Sequence, residues 1–177
     1  GTEANNLALI GAALADPRGR HIVTTPLEHP SVLESCRFLE RVHGFDVSFA
    51  PVDDCGRVSV SGVMSLVRPD TTIVSIGLAN AEIGTVQPVA EIGAALGERF
   101  AGAEAGVGGR PLLHTDAVQA AASLPVSLGA HGWPGKDVDL MSVASHKFGG
   151  PQGVGALVVR GGIPVAPLLH GEIGRAA

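Results

Sequence analysis

A three-layer α/β/α fold around a mainly parallel sheet is predicted by three features of this 177-residue sequence. Helical and strand-like apolar patterns alternate along the chain, and several strand segments are apolar on both sides, as a sheet covered on both faces requires. Only the last two strands are joined by a link too short for a helical crossover, which makes that pair antiparallel.

The elements follow in order. Leu7, Ile10, Gly11 and Leu14 recur at helical spacing up to Asp16-Pro17, and the β-branched run His21 to Thr25 reads as a strand. Pro30 suits the first turn of a helix running to His43, followed by a strand from Asp46 to Ala50. A helix from Ser61 to Val67 leads to the strand Thr72 to Leu78, and a helix from Val89 to Phe100 leads to the strand Leu112 to Thr115. Two further strands, Val138 to Val143 and Val154 to Val159, flank the glycine-rich link Gly149-Gly150-Pro151-Gln152-Gly153. Ala101 to Gly109 reads as a mobile loop, and neither repeats nor a second domain are visible. The sequence opens without an initiating Met, on a turn that lacks the strand expected to lead into it. It therefore reads as a piece of a longer protein, incomplete at both ends.

Composition narrows the function. Apolar residues make up 45% of the chain, enough for a substantial core, and the net charge of −5 with no Lys/Arg run argues against nucleic acid or an anionic membrane. With no Tyr and one Trp, there is no stacking platform for single strands. Cys36 and Cys55 form no metal or disulfide pattern and fit a reducing cytoplasm, and no stretch is apolar and long enough to target or span a membrane.

Open α/β sheets bind ligands beyond the carboxyl ends of their strands, so polar residues just after each strand matter most. His29, Asn80, Asp116 and the group Ser145-His146-Lys147 all stand there. Lys147 is the candidate nucleophile, because a neutral amine condenses with an aldehyde to form a Schiff base. Asp116 suits a protonated ring nitrogen, keeping the ring cationic and able to accept electrons. Gln119, one turn later, reaches the same ligand. Gly1 to Asn6 offers a hydroxyl at Thr2 and free N–H groups at a helix start for a phosphate, with His146 as a second donor. Each residue also has a plainer role: Asp116 and Thr2 as helix N-caps, His29 as a brace before Pro30, Asn80 as a turn residue. His21, His43, His131 and His170 are expected on surfaces or bracing loops, and Glu82 in holding its turn.

Five segments, in order, resemble the motifs of cysteine desulfurases in the class V aminotransferase superfamily: Gly1-Thr2-Glu3-Ala4-Asn5-Asn6; Glu28-His29-Pro30-Ser31-Val32-Leu33; Asn80-Ala81-Glu82-Ile83-Gly84-Thr85-Val86-Gln87; His114-Thr115-Asp116-Ala117-Val118-Gln119; and Ser142-Val143-Ala144-Ser145-His146-Lys147-Phe148-Gly149-Gly150-Pro151. The resemblance implies the large domain of a fold type I enzyme, with residues 1–177 as its cofactor-binding core and the small domain outside. Lys147 would hold pyridoxal 5'-phosphate, His29 would stack on its ring and Asp116 would pair with the ring nitrogen. Asn80 and Gln119 would lie near the phenolic oxygen and Thr2 and His146 at the phosphate, with Ser145 or Ser142 standing in for the family's phosphate-binding serine. No metal is implied. The implied reaction takes sulfur from L-cysteine, giving L-alanine and an enzyme persulfide, for iron–sulfur clusters or other thio-cofactors. A sulfur-acceptor protein and a homodimer are implied with it.

The sequence departs from the pattern at Ala81, where the family more usually has Asn, and at Ala144, where it often has Ser. After Pro167-Leu168-Leu169-His170-Gly171 the resemblance fails. The persulfide cysteine, the carboxylate-binding arginine and the threonine that reaches a neighbouring subunit lie beyond that point, and Cys36 and Cys55 match no catalytic position. The chain alone is therefore expected not to desulfurate cysteine. Another class V aminotransferase or lyase would share the ring-binding residues, and a non-catalytic scaffold remnant would keep the fold alone.

Overall fold

A computed structural model describes residues 1–15, 18–102 and 109–170. Thr2–Asn6 (α1) continues through a π-helical turn, Leu7–Gly11, into Ala12–Ala15 (α2). Then come β1 (His21–Thr24), α3 (Pro30–His43), β2 (Asp46–Phe49), α4 (Val60–Leu66), β3 (Thr71–Ser75) and α5 (Val89–Arg99). The chain continues with β4 (Leu112–Asp116), β5 (Val126–Ser127), β6 (Trp133–Pro134), β7 (Leu140–Ala144) and β8 (Gly155–Val159). Local chemistry explains the sharpest boundaries. The His29 side chain caps α3, Pro30 fits its first turn, and Arg41 and His43 sit at its negative end; Gly44 closes it at φ 67°, a left-handed conformation that favours glycine.

The main sheet has strand order β2-β1-β3-β4-β7-β8, parallel throughout except for the antiparallel pair β7–β8. Strand side chains alternate between its two faces, and the alternation sorts neighbours into two cores. Val23, Val74, Leu113 and Met141 pack with α4 and α5, whereas Ile22, Ile73, Leu112 and Leu140 pack with the π-helical turn, α2 and α3. The expected three layers are thus present. No described helix is long and apolar enough to cross a membrane.

Several expectations need correction. β3 ends at Ser75 rather than Leu78: Ile76 and Leu78 still donate to the carbonyls of His114 and Asp116, but Gly77 N–H turns instead to the Glu28 carboxylate at 2.9 Å. β7 begins at Leu140 rather than Val138, because the Asp139 side chain is committed to Arg110 and Leu113 N–H. The two-residue strands β5 and β6 pair with each other, too short for periodicity to reveal. His21 is not a surface residue. It is fully buried, with Nδ1 2.8 Å from Thr71 Oγ1 and Nε2 2.9 Å from Ser48 Oγ, linking β1 to both neighbours. Of the loop expected from Ala101 to Gly109, residues 103–108 lie outside the described residues, as do the helix end at Asp16-Pro17 and the segment 171–177.

Candidate active site

Leaving β1, the chain moves to β2 on one side and later returns to β3 on the other, so strand order reverses between β1 and β3. Crevices form at such reversals, outside the carboxyl ends of the strands. A cleft of about 350 Å³ lies there. It is lined from the helix start by Thr2 and Asn5, after β1 by Glu28 and His29, after β3 by Gly77 and Asn80, at the end of β4 by Asp116 and just beyond it by Gln119, and after β7 by His146 and Lys147.

Asp116 ends β4 with both oxygens engaged: Oδ1 accepts from Val118 N–H at 2.9 Å and Oδ2 from Asn5 Nδ2 at 2.6 Å. His29 caps α3, its Nδ1 accepting from Ser31 N–H at 3.1 Å and lying 2.7 Å from Ser31 Oγ. Asn80 is a turn residue that also lines the cleft. Its Oδ1 accepts from Glu82 and Ile83 N–H, and its Nδ2 donates to Leu27 O at 3.1 Å, clipping the loop after β3 to the loop after β1.

Lys147 ends a 3-10 turn, Ser145–Lys147, directly after β7. It is exposed rather than half-buried, and among the described residues its amine makes no hydrogen bond or ion pair. Ser145 does not line the cleft. Its hydroxyl donates to the carbonyls of Pro151 and Val154, and its own carbonyl accepts from Phe148 and Gly150 N–H, which closes the lysine loop on itself. Gly150 is required there, since a Cβ would come within 2.7 Å of Ser145 Cβ. Of the eight residues singled out from sequence, seven therefore meet in one cleft, and Ser145 stands behind it as a loop brace.

Three residues that sequence reasoning passed over matter as much. Asn5 is buried beside Asp116. The available signal was a polar side chain one turn before Leu9, in a stripe that is otherwise apolar. Ser31 is buried between Asn5 and His29. Glu28 is buried on the cleft wall, its Oε1 accepting from Thr25 Oγ1 at 2.8 Å and from Gly77 N–H at 2.9 Å. Burial pushes its carboxyl up to about 7, against the two hydrogen bonds.

That shift has a defined sign. A carboxyl held more tightly protonated in the folded state contributes stability below its ordinary value of 4.5, lost as pH rises through about 7. The loss is about 3 kcal/mol. His114 works in the opposite direction: burial between Ser75 and Ser142 lowers it to about 4, so its neutral form contributes stability that is lost as pH falls from 6.5 towards 4. The two offset each other in the wild type, so the readable quantity is the difference made by Glu28→Gln, which keeps the acceptor oxygen. Denaturant unfolding across pH ~4 to ~8 is expected to show the variant gaining about 3 kcal/mol on the wild type towards alkaline pH. Parallel curves would show that Glu28 does not titrate in this window.

Comparison with known proteins agrees with the geometry. The family described as Aminotransferase class-V matches residues 1–171. The chain is 42% identical over 172 residues to cysteine desulfurase IscS of Dictyoglomus turgidum, covering 97% of this chain and 40% of that protein. It is 44% identical to the putative cysteine desulfurase IscS 1 of Bacillus subtilis, covering 97% and 41%. Among solved structures, a NifS-like protein superposes with TM-score 0.84 at 39% identity, covering 97% of this chain and 43% of that one. SspA in complex with cysteine superposes with TM-score 0.79 at 34% identity, covering 97% and 46%. The chain thus spans about two fifths of the length of the curated relatives it matches. With a family match across nearly its whole length, the chain belongs to the class-V aminotransferase family.

Proposed function

We propose that this chain is the pyridoxal phosphate-binding core of a cysteine desulfurase. The observation that carries the reading is convergence: an amine, a pinned carboxylate, an imidazole and a hydroxyl at a helix start reach one cleft from the ends of three separate strands and the first helix. This donor set fits an aromatic aldehyde bearing a ring nitrogen and a phosphate. The cysteine desulfurase relatives and the neighbour solved with cysteine support the same choice.

In this reading Lys147 would hold the aldehyde covalently, and Asp116 would pair with the ring nitrogen. His29 would lie against the ring, Asn80 and Gln119 near its phenolic oxygen, and Thr2 and His146 at the phosphate. Ser145 contributes through the loop it closes. When bound, the group supplies an electron-withdrawing ring that stabilises negative charge at the substrate α-carbon. In the overall reaction the C–S bond of L-cysteine breaks as an S–S bond to an enzyme thiol forms, giving L-alanine and a persulfide with no external oxidant.

The attacking thiol is proposed to lie outside these 177 residues. Cys36 is buried within α3, and burial pushes its thiol up to about 12, which keeps it protonated; Cys55 is exposed but does not line the cleft. A homodimeric, cytoplasmic parent that passes sulfur to an acceptor protein for iron–sulfur or thio-cofactor assembly is the corresponding proposal for the whole protein, resting on the motif resemblance.

The test is direct. Protein incubated with pyridoxal phosphate, scanned in the visible, reduced with borohydride and mapped by mass spectrometry is expected to carry one label. A folded chain that takes up no label would count against the cofactor reading. For the whole protein, L-alanine formed from L-cysteine in step with sulfide, released from the persulfide by an added thiol reductant, separates a desulfurase from an aminotransferase.

A further inference from the structure

We infer that Asn5 and Ser31 are positioning residues that fix the His29 ring in its Nε2–H tautomer, through a hydrogen-bonded chain beginning at the Asp116 carboxylate. The consequence for catalysis rests on the cofactor reading above, whereas the tautomer itself is set by hydrogen bonds within the chain.

A carboxylate oxygen only accepts, so the Asn5 atom 2.6 Å from Asp116 Oδ2 must be the amide nitrogen. The second proton on that nitrogen points to Ser31 Oγ at 2.9 Å. Asn5 Oδ1 is left buried with no partner. Reversing the amide would set its oxygen 2.6 Å from a carboxylate oxygen, so the orphaned acceptor is the lesser penalty.

Because Ser31 Oγ receives a proton from Asn5, its own proton is free for the remaining neighbour, His29 Nδ1, at 2.7 Å. Ser31 N–H donates to the same nitrogen at 3.1 Å. Two donors aimed at Nδ1 leave no place for a proton there, so the neutral ring carries its proton on Nε2. The cap on α3 thereby leaves Nε2–H as the ring's one polar group available to the cleft. His29 presents a donor there rather than an acceptor, and the charge on Asp116 sets that polarity from across the cleft.

The experiment is a two-bond proton–nitrogen correlation spectrum of the imidazoles in uniformly ¹⁵N-labelled protein at mildly alkaline pH without cofactor. The His29 signals are assigned by their loss in His29→Asn. The expected result is a pyridine-type Nδ1 and a pyrrole-type Nε2. Ser31→Ala is expected to move both nitrogens towards the intermediate values of a tautomer mixture, and Ser31→Thr to restore them. Asn5→Ala is expected to produce the same mixing, since the Ser31 hydroxyl is then free to rotate away. A pyrrole-type Nδ1 in the wild type overturns the inference, as do Ser31→Ala and Asn5→Ala spectra unchanged from it in folded protein. None of these outcomes bears on whether Lys147 accepts the aldehyde, so failure here is distinguishable from failure of the cofactor reading.

Discussion

Lys147→Ala is expected to abolish borohydride-fixed labelling by pyridoxal phosphate completely while leaving the unfolding free energy within about 0.5 kcal/mol of wild type. The separation of the two effects follows from the geometry. The Lys147 side chain is exposed and makes no hydrogen bond or ion pair among the described residues, so its removal breaks nothing that holds the fold. The sequence makes the experiment unusually clean, because it contains two lysines only, Lys136 and Lys147. Lys136 is exposed and stands before β7, at the opposite end of the sheet from the cleft. Lys136→Ala should therefore keep the label. A label surviving in Lys147→Ala, on Lys136 or on the terminal amine, would remove the assignment.

The largest expected effect on stability comes from a residue with no place in the cleft. Arg110 forks onto Asp139, with Nη1 2.9 Å from Oδ2 and Nη2 2.8 Å from Oδ1, at side-chain exposures of 11% and 0%. Burial raises the Asp139 carboxyl above its ordinary value even with the guanidinium beside it. Arg110→Ala would leave that carboxylate with Leu113 N–H as its one remaining hydrogen bond and only the Arg160 charge nearby, and breaking a buried pair on one side costs about 3–5 kcal/mol. Adding Asp139→Asn removes the buried charge yet keeps an oxygen for Leu113, so the double variant is expected to regain most of the loss. The penalty should also shrink at acid pH, where Asp139 takes up a proton. Urea unfolding of the wild type, both singles and the double supplies the cycle. A single variant within about 1 kcal/mol of wild type would show that the pair is dispensable.

Helix α3 was legible to the residue at both ends because its punctuation is local: Pro30 at the start and Gly44 just past the end need no knowledge of the rest of the chain. The sheet was legible in kind, and the antiparallel hairpin β7–β8 followed from the brevity of its link. Strand ends were less legible because partners distant in sequence decide them, Glu28 for Gly77 and Arg110 for Asp139. The same reason hid the support of the site. Asn5 and Asp116 are 111 positions apart, and nothing around either announces the other. Asn5, Glu28 and Ser31 lie inside the quoted segments, but a segment does not say which of its polar side chains will meet, and that arises on folding. His21, bonded at once to Thr71 and Ser48, is the clearest case outside the cleft.

The loop that carries Lys147 is closed by the bonds Ser145 makes to Val154, at the threshold of β8. Mechanically the lysine stands at the tip of a stiff hairpin rather than on a tether. A load applied at its amine runs into the paired backbones of β7 and β8 instead of dissipating in slack chain. The antiparallel strand β8, which gives the cores only the partly buried Leu157, then acts as a splint for Lys147.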